Sequence, residues 1–210
     1  GKKVLITAGP TVASIDPVRF ITNKSTGKMG YAIAKEARNR GANVTLISGP
    51  TSLDIPRNIN FVRISSNEEM KNAVLKEFSD SDIVIKSAAV ADYKPRTYSE
   101  QKIKKGDGDL ELAFTRDNDI LLEIGKKKQN QILVGFAAES QNLKENAKSK
   151  LNKKNLDYIV ANDITASDTG FASEDNKVII LSKDGLEINL DKMSKEKIAS
   201  NLFDIIAQKR

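Results

Sequence analysis

One short stretch of the sequence, residues 25–30 (STGKMG), places glycines, hydroxyl side chains and a lysine in front of an amphipathic segment. If this stretch opens a helix, its free backbone N–H groups and the positive end of the helix dipole would favour an anion there. The alternative is a purely structural helix start, in which Ser25 or Thr26 caps the helix and Gly30 allows close packing. Taken alone, the stretch fits both interpretations equally.

Charged residues that could serve a phosphate chain follow later in the sequence. Asp92 comes just after a predicted strand and a run of small residues, where a carboxylate can hold Mg²⁺ or, alternatively, cap a helix. Lys102, Lys104 and Lys105 lie on the next predicted loop. Flexible lysines can close over a triphosphate, although a solvated basic loop would have the same composition.

The two best-known phosphate-binding fingerprints are absent. After the first predicted strand the chain has AGPT, where the dinucleotide motif GxGxxG would stand and only Gly9 matches it. The Walker A motif also fails, because Lys28 is followed by Met29 and not by Ser or Thr. A nucleotide site in this chain must therefore be built in another way.

The composition limits the available chemistry. The 210 residues include no Cys and no His, which excludes disulfides, thiolate nucleophiles, Cys/His zinc sites and histidine-based triads. Such a set suits phosphoryl or nucleotidyl transfer, in which positioning and electrostatics carry most of the catalysis. The net charge of +6 fits a lysine-rich surface or an anionic partner, and without a basic–aromatic platform a small polyphosphate is favoured over nucleic acid. No apolar run is long enough for a membrane span or a signal peptide, so we expect no membrane association and a cytoplasmic protein.

Alternating strands and helices must position these residues. Apolar, β-branched runs predict strands, and amphipathic runs with helical periodicity predict helices. The predicted strands are residues 3–8, 43–48, 60–64, 82–85, 110–114, 131–136 and 156–161, and the predicted helices are residues 27–40, 67–78, 118–128 and 141–153, with a last helix around Ile198 and Leu202. The alternation indicates a Rossmann-like, doubly wound α/β domain with a mostly parallel sheet, whose ligands bind beyond the carboxyl ends of the strands.

Two segments depart from this alternation. Residues 94–109 lack periodicity, and we expect them to form a mobile flap. Residues 175–190 predict a β-hairpin around Asp184-Gly185, because Asp-Gly between two β-rich runs favours a type I′ turn. We expect residues 1–210 to form a single domain.

With these segments in order, the chain resembles phosphopantothenoylcysteine synthetase, the second half of a bacterial bifunctional decarboxylase/synthetase of coenzyme A synthesis. The matching stretches span almost the whole chain: ITAGPT (6–11), DPVRFITNKSTGKMG (16–30), AAVADY (88–93), KIKK (102–105), VGFAAES (134–140), KKNLDYIVAND (153–163) and GF (170–171). The flavin-dependent decarboxylase half of that family is absent from this sequence, and the full-length protein could carry it.

The resemblance implies a ligase with CTP as a substrate and Mg²⁺ as a cofactor. The carboxylate of 4′-phosphopantothenate attacks the α-phosphate of CTP, which gives an acyl-cytidylate and pyrophosphate. The amine of L-cysteine then attacks the acyl carbon and releases CMP. The resemblance also implies a homodimer, built by the hairpin or by strands near it.

The resemblance assigns roles residue by residue. It implies that Asn23 stabilises the developing oxyanion, that Arg19 supports the same site and that the flap residue Lys102 acts on the triphosphate. Asp92 is implied to contact metal and nucleotide. The remaining nucleotide-binding and substrate-binding positions are Ser25, Gly27, Lys86, Ser87, Ala88, Ala89, Asn118, Asp119, Ile120, Leu121, Phe136, Lys150 and Lys154.

Two departures and one rival class accompany this interpretation. The family often carries charged residues where this chain has Val12-Ala13, and Pro where it has Asn118. The alternative is an NAD(P)-dependent oxidoreductase of the short-chain type, which needs a Tyr-xxx-Lys pair on a helix. The nearest such pair, Tyr98 and Lys102, lies in the predicted flap.

Overall fold

A computed structural model of the chain describes residues 1–106, 108–139, 141–163 and 175–208. The strands are β1 Lys3–Ala8, β2 Val12–Ser14, β3 Phe20–Thr22, β4 Asn43–Ser48, β5 Asn60–Arg63, β6 Ile83–Lys86, β7 Tyr93–Pro95, β8 Phe114–Arg116, β9 Ile132–Glu139, β10 Tyr158–Asp163, β11 Asp175–Ser182 and β12 Glu187–Ser194. The helices are α1 Lys28–Asn39, α2 Asn67–Phe78, α3 Ile120–Lys127, α4 Leu143–Lys153 and α5 Lys195–Ala207.

The main sheet has eight strands in the order β12-β11-β10-β9-β6-β1-β4-β5. The strands from β10 to β5 run parallel, and β11 and β12 add an antiparallel edge. Parallel strands need crossover connections, and except between β4 and β5 these connections contain helices, which lie on both faces of the sheet. The predicted doubly wound, mostly parallel α/β fold is confirmed.

The sheet is buried between two apolar layers. Helices α1 and α5 pack on one face, where Ile6, Ile33 and Leu202 belong to the same buried cluster. Helices α2, α3 and α4 pack on the other face, around residues such as Leu5 and Val74. Because both faces are covered, the central strands are continuous apolar runs and not alternating ones.

Two of the shorter elements differ from prediction. The segment between β1 and α1, predicted to be loop, contains the antiparallel pair β2 and β3. The strand predicted at 110–114 is wrong: β8 begins at Phe114 and pairs with β7, at the start of the predicted flap. Strands of three residues are set by their pairing partners, and a local apolar pattern does not reveal them.

The hairpin formed by β11 and β12 is present, but its turn is not of type I′. That turn needs positive φ at both central residues, whereas Gly185 has φ of 93° and Asp184 is not in the positive region. The Ser182 N–H donates to the Leu186 carbonyl at 3.0 Å, which closes a three-residue loop. Gly185 supplies the left-handed position that such a loop requires.

Helix α1 lies unusually close to β1. A Cβ added at Gly30 would stand 2.5 Å from the Cβ of Ala8 and 3.0 Å from the Thr7 carbonyl oxygen. Gly27, just before the helix, has φ of 80°, and a Cβ there would meet the Thr51 methyl group at 2.7 Å. The two glycines therefore let the start of α1 rest directly on the end of the strand.

Within the described ranges, no helix has both the length and the apolar character needed to cross a membrane.

We expect Gly30→Ala to lower the free energy of unfolding by about 1–3 kcal/mol, because the added methyl group overpacks the contact with Ala8. Helix propensity alone would predict the opposite sign. Urea unfolding of both proteins measures the difference. Gly106→Ala is the control, since a Cβ there meets nothing within 4 Å. A Gly30→Ala protein as stable as its parent would contradict the close approach.

Candidate nucleotide-binding site

A cavity of about 390 Å³ opens at the carboxyl ends of β6, β9 and β10, beside the amino end of α1. This is where a doubly wound sheet binds its ligands. Fifteen of the residues predicted for the site line the cavity: Asn23, Ser25, Gly27, Lys86, Ser87, Ala88, Ala89, Asp92, Asn118, Asp119, Ile120, Leu121, Phe136, Lys150 and Lys154. The two other predicted residues, Arg19 and Lys102, do not line it.

The start of α1 forms one wall of the cavity. Its N-cap residue is Gly27, in the left-handed conformation, so the interpretation of Ser25 or Thr26 as the N-cap is wrong. The Gly27 N–H instead donates to Ser25 Oγ at 3.3 Å, and the first helical turn contains no acidic side chain. The positive end of this helix therefore faces the cavity without a carboxylate of its own, which favours an anionic ligand.

Asn23 is held at the cavity wall by a backbone contact. Its Nδ2 donates to the carbonyl of Ala89 at 2.9 Å, and this bond joins the strand β3 to the segment after β6. An amide nitrogen carries two protons, so one remains available to a ligand. The contact fixes the direction in which Asn23 can donate.

The wall on the opposite face of the sheet carries two ion pairs. Asp119 is the N-cap of α3 and accepts from the Leu122 N–H at 3.0 Å, while Lys154 lies 2.9 Å from its carboxylate. Burial works against ionisation, but the Leu122 N–H and Lys154 hold the pKa of Asp119 below its ordinary value. Lys150 pairs with Glu139 at 2.6 Å. The predicted residues on α3 and α4 are thus oriented before any ligand binds.

Lys86 differs from these paired lysines. It is the last residue of β6, only 8% of its surface is exposed, and it lies on the cavity. Burial, with the repulsion of Lys154, lowers its pKa to about 8, although Asp119 and Asp92 act in the opposite direction. The family resemblance implied that the backbone of residues 86–88 lines a nucleotide, so the burial of the Lys86 side chain is a structural finding.

Asp92 is exposed at the rim of the cavity. Among the described residues no group of three or more His, Cys, Asp or Glu side chains could hold a metal ion. A single carboxylate still fits Mg²⁺, since this ion is commonly held by one or two carboxylates together with phosphate oxygens of the substrate.

Arg19 and the flap form a separate arrangement outside the cavity. The buried carboxylate of Asp16 accepts hydrogen bonds from Arg19 Nε and Nη2 and from the N–H of Ile103. Arg19 Nη2 also donates to the Ile103 carbonyl at 2.6 Å. Burial alone would raise the pKa of Asp16. These hydrogen bonds, together with those from the Val18 and Arg19 N–H groups, outweigh burial and hold that pKa far below its usual range. Ile103, the neighbour of Lys102, is therefore fixed through both backbone groups.

Sequence reasoning assigned no role to three buried polar residues at the far end of the cavity. Asn162 ends in a buried Oδ1 with no hydrogen-bond partner among the described residues, and Lys195 Nζ donates to Asn176 Oδ1 at 3.1 Å. The motif containing Asn162 was recognised, but a polar residue at a strand end has many structural uses. Residues 170–171, which were also part of the matching motifs, lie outside the described residues.

The fold and the cavity define the class of this protein: a doubly wound α/β domain with a cavity at the carboxyl ends of its strands and the positive end of a helix at the cavity wall. The chain belongs to the family described as DNA/pantothenate metabolism flavoprotein C-terminal domain, whose model matches residues 1–209. The family resemblance inferred from the motifs is confirmed.

Curated relatives support the same assignment. The chain is 53% identical over 208 residues to the coenzyme A biosynthesis bifunctional protein CoaBC of Bacillus subtilis, covering 99% of this chain and 51% of the relative. It is 47% identical over 209 residues to the protein of the same name from Vibrio cholerae, covering 98% and 52%. The chain therefore spans about half the length of the curated relatives it matches.

Solved structures agree with the fold. The crystal structure of a C-terminal domain of CoaBC matches with a TM-score of 0.86 and 42% identity, covering all of this chain and 95% of that one. A DNA/pantothenate metabolism flavoprotein from Streptococcus pneumoniae matches with a TM-score of 0.85 and 25% identity over the full length of both chains.

We expect Asp16→Asn to release the flap, because the neutral side chain no longer holds Arg19 and the Ile103 N–H with a full charge. Limited trypsin digestion followed by mass spectrometry should show cleavage after Lys102, Lys104 or Lys105 faster by about tenfold or more. Asp82→Asn is the matched control. Asp82 also binds a lysine and a backbone N–H, but it lies at the opposite end of the sheet. Equal cleavage in the two variants would contradict the fixing of the flap by Asp16.

Proposed function

We propose that this chain is a CTP-dependent phosphopantothenate–cysteine ligase, the synthetase part of coenzyme A biosynthesis. One observation carries the proposal. Residues that the family resemblance selected from five separated parts of the sequence line a single cavity, with an anion-favouring helix start at one side. Nothing in the cavity favours the oxidoreductase alternative.

The nucleotide fits the cavity with its phosphates at α1. The N–H groups of the first turn and the segment from Ser25 to Gly27 would hold the phosphate chain, as helix starts commonly do. Phe136 offers an apolar face for the base, and Asp119, Lys150 and Lys154 offer polar contacts for base or sugar. Asp92 would hold Mg²⁺ together with phosphate oxygens, where the ion would neutralise charge on the triphosphate.

In the first step the carboxylate of 4′-phosphopantothenate attacks the α-phosphorus of CTP. A new P–O bond forms, the bond to the bridging oxygen breaks, and pyrophosphate leaves. Lys102 on the flap would neutralise the triphosphate during this step. Lys102 does not line the cavity, so the flap would have to close before Lys102 could contact the triphosphate. The hydrogen bonds of Asp16 and Arg19 to the backbone of Ile103 would guide this closure.

In the second step the amine of L-cysteine attacks the acyl carbon of the acyl-cytidylate. Negative charge develops on the acyl oxygen, the C–N bond forms, the amine loses a proton, and CMP leaves. Asn23 would donate its second amide proton to the developing oxyanion, because its first is fixed on the Ala89 carbonyl. Donors of this kind are typically worth about 10²–10³ in rate.

With CTP, Mg²⁺, 4′-phosphopantothenate and L-cysteine the protein should release pyrophosphate and CMP, and ATP in place of CTP tests the choice of nucleotide. Asn23→Asp should still release pyrophosphate but couple cysteine slower by about 10²–10³, because a carboxylate cannot donate to the oxyanion. Quenched-flow measurement of acyl-cytidylate and amide separates the two steps.

Asn43→Asp is the control for the added charge, since Asn43 begins β4 at the other end of the sheet. No pyrophosphate from the parent protein would refute the ligase assignment. An equal loss of both half-reactions in Asn23→Asp would refute the oxyanion role alone.

We also propose a homodimer. Large apolar side chains are exposed on the two small sheets beside the flap, where Val18 is 58%, Phe20 56% and Tyr93 54% exposed, and β2 contacts β7. The outer strand of the hairpin, β12, instead exposes polar residues such as Glu187 and Asp191. A second copy is the simplest partner for the apolar surface, and we place the interface there in preference to the hairpin that the resemblance implied.

Sedimentation equilibrium should show a dimer of the parent protein, and Phe20→Asp should shift it toward monomer, because a charge replaces an exposed apolar contact. Leu186→Asp, at the hairpin turn, is the control and should leave the dimer intact. The reverse result would assign the interface to the hairpin, and a monomeric parent would refute the dimer.

The relatives are bifunctional proteins about twice as long as this chain. We therefore propose that the full-length protein also carries a flavin-dependent decarboxylase domain, and that it acts in the cytoplasm.

A further inference from the structure

Among the residues that the structure describes, the side chain of Lys86 has no hydrogen-bond or ion-pair partner. No hydrogen bond or ion pair joins its ammonium group to any other described residue, although 92% of the residue's surface is buried. Lys150 and Lys154, which line the same cavity, are each paired with a carboxylate. Buried charges in proteins are normally paired, because an isolated one loses its hydration without compensation.

The position of Lys86 directs this charge into the cavity. Along β6, Ile85 faces the layer of α1 and α5 and Val84 faces the opposite layer. Side chains alternate along a strand, so Lys86 lies on the same side as Val84, toward α3 and α4. The charged groups that influence it are Lys154, Asp119 and Asp92, and the other charged residues on the cavity wall are Lys28, Lys150 and Lys195.

We propose that the ammonium group of Lys86, and not only its backbone, binds the ligand of this cavity by donating a charge-assisted hydrogen bond to an anionic phosphate oxygen of the nucleotide. The inference deepens the proposed function and rests on it for the identity of the nucleotide. A structural lysine would have a carboxylate or carbonyl partner in the protein. Lys86 has no such partner among the described residues, and an anion in the cavity that it lines would supply the missing acceptor.

The acid–base behaviour of Lys86 gives this contact a signature. Without ligand, burial lowers the pKa of Lys86 to about 8. A bound anion favours the charged form and raises that pKa again, so nucleotide binding near pH 8 must take up a proton. Above pH 8 the affinity should therefore fall as pH rises, because free protein must first be protonated.

Isothermal titration with CTP and Mg²⁺ tests the contact directly. At pH 7 we expect Lys86→Met to weaken CTP binding by about 10- to 100-fold, the usual effect of losing a hydrogen bond to a charged group. Lys126→Met is the matched control, because Lys126 is exposed on α3 outside the cavity and its loss lowers the net charge equally. Affinity in Lys86→Met within about twofold of the parent would overturn the proposal.

Titrations in two buffers with different ionisation enthalpies then count protons. At pH 8 the parent and Lys126→Met should each take up about half a proton per CTP, and Lys86→Met should take up none. If Lys86→Met does not fold, as judged by circular dichroism, Lys86→Arg replaces it, because a guanidinium keeps its charge throughout this pH range. Proton uptake in Lys86→Arg equal to that of the parent would overturn the proposal. A parent that does not bind CTP at all would instead refute the proposed function, so the two failures remain distinct.

Discussion

The contact between Gly30 and Ala8 is the constraint on which the geometry of the site depends. Because no side chain separates α1 from the end of β1, the first turn of the helix reaches the level of the carboxyl strand ends. Gly27 then turns the chain in a conformation that other residues seldom adopt, and its left-handed backbone directs the preceding segment, with Asn23, over the cavity. A longer separation would withdraw the helix dipole from any ligand lying above β6.

This packing places a positively polarised helix end near a buried ammonium group. The lysine at the end of β6 destabilises the protein without ligand, since burial lowers its pKa from 10.5 to about 8. The unfolded chain then binds more protons than the folded one between these pH values, so this penalty is complete below pH 8 and is relieved as pH rises toward 10.5. A buried, unpaired ammonium group therefore lowers the free energy of unfolding of the free protein and increases the affinity of the site for an anion.

Much of the fold could be predicted from the sequence, because buried parallel strands are long apolar runs and the helices between them have clear periodicity. Helix α2 was predicted at its observed bounds, Asn67–Phe78, where Ser66 and Glu69 form a capping box. The β2–β3 pair and the shift of β8 were not predictable, since three-residue strands owe their pairing to distant partners. The prediction of a type I′ turn at Gly185 was wrong for a similar reason. Asp-Gly occurs both in two-residue and in three-residue hairpin loops, and the register of the strands selects between them.

The positions of site residues were predictable where a recognised sequence motif contains them. The contacts of their side chains were not predictable, because these depend on the direction in which each side chain leaves its strand or helix. Phe136 and Lys154 lie on the cavity as the resemblance implied, whereas the ammonium of Lys86 could not be oriented without the strand that carries it. Arg19 illustrates the difference most clearly. The family resemblance implied that Arg19 supports the same site as Asn23, but its guanidinium is engaged by Asp16 and the Ile103 carbonyl. A guanidinium held in this way fixes Ile103, the neighbour of Lys102, so under the proposed function Arg19 would act on the reaction through the flap. Because both backbone groups of Ile103 are held, the closure invoked in the proposed function would be a movement about Ile103 that carries the adjacent lysines toward the triphosphate.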